Sequence, residues 1–179
     1  MGARVNVARD YYAALRAALD AGPPRELERA AELVADARAV YTFGNGASAA
    51  LASHVATDLG KGLGLRVVSL VDNAALLTAY ANDRNYECVF VEQLRVLLAE
   101  GDVALGISGS GRSQNVLDAL AHARGAGART IGFTGAMGGD RMDEVCDVVV
   151  RAPLDQIEQI EDLHVVFAHI LMRLVRERR

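Results

Sequence analysis

Residues Phe43–Lys61 read F-G-N-G-A-S-A-A-L-A-S-H-V-A-T-D-L-G-K, directly after the apolar run R-A-V-Y-T-F of Arg38–Phe43. Such a run predicts a buried strand, and Gly44-Asn45-Gly46 predicts a turn that tolerates unusual backbone angles. A helix is expected to begin there. Its first turn carries free N–H groups and a partial positive charge, and Ser48 adds a hydroxyl, a combination that suits a phosphate or another anion. His54 and Asp58 follow at i and i+4 and project from one helix face. That spacing serves two metal ligands, a base with its partner, or an ordinary solvated pair.

On the N-terminal side, Arg4–Asp20 places Val7, Tyr11, Leu15 and Leu19 at steps of four, a helical period that Gly22-Pro23-Pro24 stops. A second helix is expected from Arg25 to about Ala37, with Leu27, Ala30, Ala31 and Val34 on one face. On the C-terminal side, Leu65–Leu70 reads as a second strand, Asp72–Tyr80 as a helix, Ala81–Asn85 as a polar loop and Glu87–Ala99 as a further helix. Val103–Ile107 is the third expected strand, and the helix Val116–Arg124 follows it after a serine-rich loop. A fourth strand at Thr130–Thr134, a loop at Gly135–Gly139, a fifth strand at Val145–Arg151 and a long amphipathic helix at Gln156–Arg176 complete the chain. This alternation predicts a single α/β domain with a five-stranded parallel, Rossmann-like sheet covered on both faces by helices. Residues 1–38 form its N-terminal helical pair and 39–179 its α/β body.

With 179 residues, 51% of them hydrophobic and 23% charged, the chain can bury a substantial core. A net charge of −4 gives no basic footprint for nucleic acid or an acidic membrane. Cys88 and Cys146 are far apart and form no CxxC, so neither a disulfide framework nor a cysteine zinc site is expected. Charges throughout the first stretch leave no signal-peptide core, and no apolar run reaches membrane-spanning length, which predicts a cytoplasmic location.

The strongest single signal is Ser108-Gly109-Ser110-Gly111-Arg112-Ser113, between a buried strand and a helix. Backbone N–H groups and the hydroxyls of Ser108, Ser110 and Ser113 can converge on one phosphate without a basic side chain. Such a loop lies at the carboxyl end of a parallel strand, where α/β folds bind ligands. An ordinary small-residue turn is the alternative. Gly44–Ala49 also satisfies G-x-G-x-x-A, and Asp72 lies close to where a dinucleotide fold places its ribose acid, so a dinucleotide-binding protein is a rival reading. In the terminal helix, Glu161, His164 and His169 interrupt an apolar pattern, and buried ionisable groups need partners. Glu161 and His169 sit two turns apart and differ by roughly 80° about the axis, so both can reach one point. With His54 and Asp58 they form a two-histidine, two-carboxylate set suited to zinc or a similar divalent metal, while His164 points elsewhere as a packed or supporting histidine.

With these residues in place, the chain resembles the bacterial phosphoheptose isomerases of the sugar isomerase (SIS) domain superfamily over nearly its whole length. Gly44-Asn45-Gly46-Ala47-Ser48 corresponds to the family's G-N-G-G-S turn, and Ser108–Ser113 to its S-x-S-G-x-S phosphate loop. The resemblance implies substrate contacts from Asn45, Gly46, Ser48, Asp83, Ser108, Gly109, Ser110 and Ser113, the Asp83 contact through the family's N-D motif at Asn82-Asp83. It implies metal ligation by His54, Asp58, Glu161 and His169, with Asp58 and His169 sharing the proton transfers of a ketose–aldose isomerisation. It further implies a sugar phosphate substrate, a bound zinc or similar metal, and a homotetramer with sites between subunits. Two positions depart from the family: Asp58 stands where glutamate is usual and Glu161 where glutamine is usual. The family's arginine after the first loop has no match, although Lys61 is nearby. The alternative on this fold is a non-catalytic SIS-type module that binds phosphosugars or proteins.

Overall fold

The computed structural model describes residues 6–139 and 141–179, so the expected helix start at Arg4 lies outside the described residues. Strands β1 (Val40–Gly44), β2 (Val67–Ser69), β3 (Val103–Ile107), β4 (Arg129–Gly135) and β5 (Val148–Ala152) form one parallel sheet in the order β2-β1-β3-β4-β5. The helices are α1 (Val7–Asp20), α2 (Glu26–Ala35), α3 (Ala47–Leu63), α4 (Ala74–Asp83), α5 (Val91–Leu97), α6 (Gln114–Gly125), α7 (Arg141–Val145) and α8 (Ile157–Arg178). From β1 the chain winds outward to β2, and from β3 it winds the other way to β4. β1 and β3 therefore flank the switch point of the sheet, where the carboxyl ends of neighbouring strands open a crevice. Their register places Gly44 opposite Ile107, so the turn after β1 and the serine loop after β3 start side by side.

All five residues of β1 and of β3 are buried, as expected of strands covered on both faces. Side chains alternate between two cores. Val40, Leu105 and Ile107 face a cluster with Leu27 and Val34 of α2, Leu51 and Val55 of α3, and Leu163 and Phe167 of α8. Tyr41 and Phe43 face the other cluster, with Phe90, Leu94 of α5, Val116 and Leu120 of α6, and Met142 of α7. The site helices α3 and α8 thus lie on the same face of the sheet.

Several elements differ from expectation. The second strand pairs only over Val67–Ser69 because α3 closes on a left-handed Gly64 (φ 68°), and Leu65 N–H still donates to Leu59 O at 3.2 Å. The helix expected over Glu87–Ala99 is broken. Asn85 Oδ1 accepts from Cys88 N–H at 3.0 Å and starts a 3-10 turn over Tyr86–Cys88, after which α5 begins. α4 continues through Asp83, so Asn82 and Asp83 end a helix instead of lying in a loop. Where the fifth strand was expected to start, α7 seals the second core with Met142, and pairing begins only at Val148. The stripe on α1 is only partly covered: α1 has no buried residue, Val7, Tyr12 and Leu19 are exposed, and Leu15 packs at the edge of the first core. The helix rests on α8, where Tyr11 Oη donates to Asp162 Oδ2 at 2.6 Å.

Candidate functional site

Gly44 determines how closely the turn after β1 and the serine loop after β3 approach. A Cβ at this position would lie 2.8 Å from Ile107 O, 2.8 Å from Ser48 Cβ and 2.9 Å from Ser48 O. Only glycine allows the end of β1, the end of β3 and the first turn of α3 to meet. Gly46 precedes α3 with φ 57° and ψ −125°, and no side chain caps the helix there; Ala49 and Ala50 N–H donate to Gly46 O at 3.0 and 3.2 Å, which leaves the Ala47 and Ser48 N–H groups for a ligand. Ser48 is buried beside them.

In the second loop, Ser108 is buried and its Oγ donates to Ser113 Oγ at 3.1 Å. Gly111 N–H donates to Ser108 O at 2.9 Å, and Arg112 N–H to Ser110 Oγ at 3.3 Å. Gly109 lies beneath Ile157 and Ile160 of α8, and its carbonyl accepts from Gly135 N–H at 3.0 Å. The loop is preorganised by its own backbone and by the start of α8, and the Ser113 hydroxyl leaves α6 without a side-chain cap. Ser113 is thereby left to serve a ligand.

α3 and α8 bring together three of the four expected metal ligands. His54 Nε2 lies 2.9 Å from His169 Nε2, and Asp58 Oδ2 lies 3.4 Å from the first and 3.8 Å from the second. Two facing ring nitrogens can share only one proton, so one presents a lone pair. Ligand atoms about 2.0–2.1 Å from a tetrahedral zinc are about 3.3 Å apart. The observed separations bracket that edge, and two imidazoles with one carboxylate are donors zinc accepts, so the residues fit such an ion. Glu161 does not join the three-residue group. It lines the cavity between α3 and α8, where burial, then the charges of Glu158 and Asp162, hold its carboxyl above the usual range.

That cavity, about 470 Å³, is lined among others by Ala47, Ser48, His54, Glu161, His164 and His169. One end is therefore the uncapped start of α3 and the other the histidine pair. His164 closes the inner wall, fully buried against Phe133. Its Nε2 lies 3.1 Å from Thr134 O, and since a carbonyl only accepts, Nε2 carries the proton. Burial lowers its pKa from 6.5 to about 4. Because this folded value lies below the unfolded one, the associated stability is complete above pH 6.5 and is lost as pH falls toward 4. Wild type should lose about 1 kcal/mol between pH 7 and pH 5.5 from this group. Urea unfolding across that range checks it, with His164→Gln losing this component.

Asp83 is exposed at the end of α4, where it accepts from Asn82 Nδ2 at 2.9 Å. Asp72, the ribose acid of the dinucleotide reading, instead accepts from the Ser53 hydroxyl of α3. Two residues that sequence reasoning passed over stand beside Asn45. Asn45 and Asn115 exchange amide hydrogen bonds at 2.9 and 3.0 Å, and Tyr86 Oη donates to Asn45 Oδ1 at 3.0 Å. A polar Asn115 on the apolar side of α6, two residues after Ser113, was the available signal, because a buried amide requires a partner.

The SIS domain family model matches residues 10–135. The chain is similar to the phosphoheptose isomerase of Rhodospirillum rubrum, 40% identical over 162 residues that cover 86% of each protein. It is similar also to the phosphoheptose isomerase of Aliarcobacter butzleri, 37% identical over 151 residues, 82% of this chain and 79% of that one. Among solved structures, the phosphoheptose isomerase of Neisseria gonorrhoeae superposes with a TM-score of 0.85 at 30% identity, covering 94% of both chains.

Proposed function

The chain belongs to the phosphoheptose isomerase family of SIS-domain proteins, and from that membership we propose that it converts sedoheptulose 7-phosphate to D-glycero-D-manno-heptose 7-phosphate through an enediol. The observation that carries this reading is one cavity with Ser48 at its anion end and His54 and His169 at the other.

Ser48, Ser108, Ser110 and Ser113 bind the 7-phosphate through O–H and N–H donors, with Asn45, Gly46 and Gly109 shaping the cradle and Asp83 taking a sugar hydroxyl. Anchoring the remote phosphate holds C1 and C2 before the polar groups of α3 and α8. The isomerisation removes a proton from C1 and returns one to C2, while a proton reaches O2 and another leaves O1, so ketose and aldose contain the same atoms. Asp58 accepts the carbon-bound proton. Its Oδ2 faces both histidines, which leaves Oδ1 for the sugar. His169 exchanges protons with the sugar oxygens. His54, Asp58 and His169 would hold a divalent cation such as zinc, with Glu161 on the adjoining cavity wall, and the cation would supply electrophilic polarisation of the oxygens on C1 and C2 when bound.

The proposed assembly is a cytoplasmic homotetramer with sites between subunits, and the exposed Val7, Tyr12 and Leu19 of α1 offer a contact surface for it. Among the described residues no helix is long and apolar enough to cross a membrane. The test follows sedoheptulose 7-phosphate by NMR. The aldose is expected to accumulate to equilibrium, a chelator to remove most turnover and zinc to restore it. Failure of the aldose to form with zinc present overturns the reading.

A further inference from the structure

Three segments distant in sequence meet at one pair of side-chain amides. Asn45 belongs to the turn after β1, Asn115 to the first turn of α6 behind the serine loop, and Tyr86 to the 3-10 turn that follows α4. Asn45 Nδ2 donates to Asn115 Oδ1 at 2.9 Å, and Asn115 Nδ2 donates back to Asn45 Oδ1 at 3.0 Å. The same Asn45 oxygen accepts from Tyr86 Oη at 3.0 Å. Both acceptor positions of Asn45 are then occupied and one of its two N–H bonds is used, which leaves a single N–H for anything entering the cradle. Asn115 is 4% exposed, so its amide has no competing water, whereas Tyr86 is half-exposed and its phenol is held to the protein by this bond.

We propose that Asn115 and Tyr86 are positioning residues that lock the Asn45 amide with one N–H turned to the substrate phosphate, and that Tyr86 ties the Asp83 segment to the same cradle. The proposal rests on the isomerase reading for the identity of the ligand, but the lock itself concerns any phosphate. Asn115 joins the two anion loops, so its loss lets them separate. Tyr86 lies three residues beyond Asp83, so its hydroxyl couples the end of α4, where the sugar hydroxyls are held, to the loop that holds the phosphate. Neither residue needs to touch the reacting carbons.

The experiment measures inorganic phosphate affinity by titration calorimetry and the kinetics of sedoheptulose 7-phosphate conversion, for wild type, Tyr86→Phe, Asn45→Ala, Asn115→Ala and the Asn45→Ala/Asn115→Ala double variant. Asn115→Ala is expected to weaken phosphate binding about tenfold, with the double variant no weaker than Asn45→Ala alone, because residues acting through one another are not additive. Tyr86→Phe keeps the ring and is expected to weaken phosphate binding about threefold and to lower kcat/KM about fivefold, chiefly through KM. Additive losses in the double variant, or Tyr86→Phe and Asn115→Ala both within twofold of wild type, overturn the proposal. Should Asn115→Ala fail to fold, Tyr86→Phe decides through its KM. If wild type turns over no ketose phosphate while the phosphate affinities follow this pattern, the lock stands and the isomerase reading falls.

Discussion

Asp58→Ala is expected to lower kcat for sedoheptulose 7-phosphate by about 10²–10⁴-fold, the range supplied by a positioned acid or base. The loss is expected to be chemical and not structural. The Asp58 side chain is 27% exposed and its contacts are the two histidines, so the variant's melting temperature should stay within about 2 °C of wild type. NMR conversion assays paired with thermal melts separate the two effects. Asp58→Glu restores the longer side chain usual in the family and should keep measurable activity. An Asp58→Ala variant that retains a third of wild-type kcat would remove the carboxylate from the mechanism.

The second large effect is expected at a residue without a side chain. Gly44→Ala must place a methyl group against Ile107 O and against both Cβ and O of Ser48, all within 2.9 Å. Two of these three atoms are backbone and cannot rotate away. The substitution should cost about 3 kcal/mol, the upper end for overpacking, which lowers the melting temperature by roughly 6–12 °C in a chain of this size. It should also abolish phosphate binding, because relief comes only from moving Ser48 away from the end of β3. Calorimetric melting and a phosphate titration check both. A variant that melts with wild type and still binds phosphate shows that the close approach is not required.

The sequence made the parallel sheet readable because its strands are buried on both faces and stand out as short apolar runs between glycine-rich turns. The turn after β1 and the serine loop after β3 were legible for the same reason, since their small residues directly follow those strands. Their proximity was not. That depends on the order β2-β1-β3-β4-β5, and no local pattern records which strands are neighbours. The pairing of His54 with His169 could be guessed from helical spacing on each side, yet the same reasoning gave Glu161 an equal place. The rise and rotation of α8 leave Glu161 on the cavity wall, outside the three-residue cluster. The 3-10 turn at Tyr86–Cys88 escaped notice because Glu87–Ala99 keeps a helical period across it, and only Asn85 marks the break. Tyr86 and Asn115 were missed with it, since a hydrogen bond across 41 or 70 residues leaves no trace in either segment alone.

His169 stands on α8, which follows all five strands, and its partner His54 lies 115 residues earlier. On a ribosome adding about 5–20 residues per second, the two imidazoles emerge roughly ten seconds apart. During that interval the nascent sheet has α3 on one face with the ground α8 will occupy still bare, including Leu51 and Val55. Because Ile157 and Ile160 of α8 pack on Gly109 of the serine loop, neither that loop's support nor the histidine pair is complete until the last helix docks. Docking of that one helix therefore completes the support of the serine loop and the histidine pair together, and it covers the apolar ground on α3.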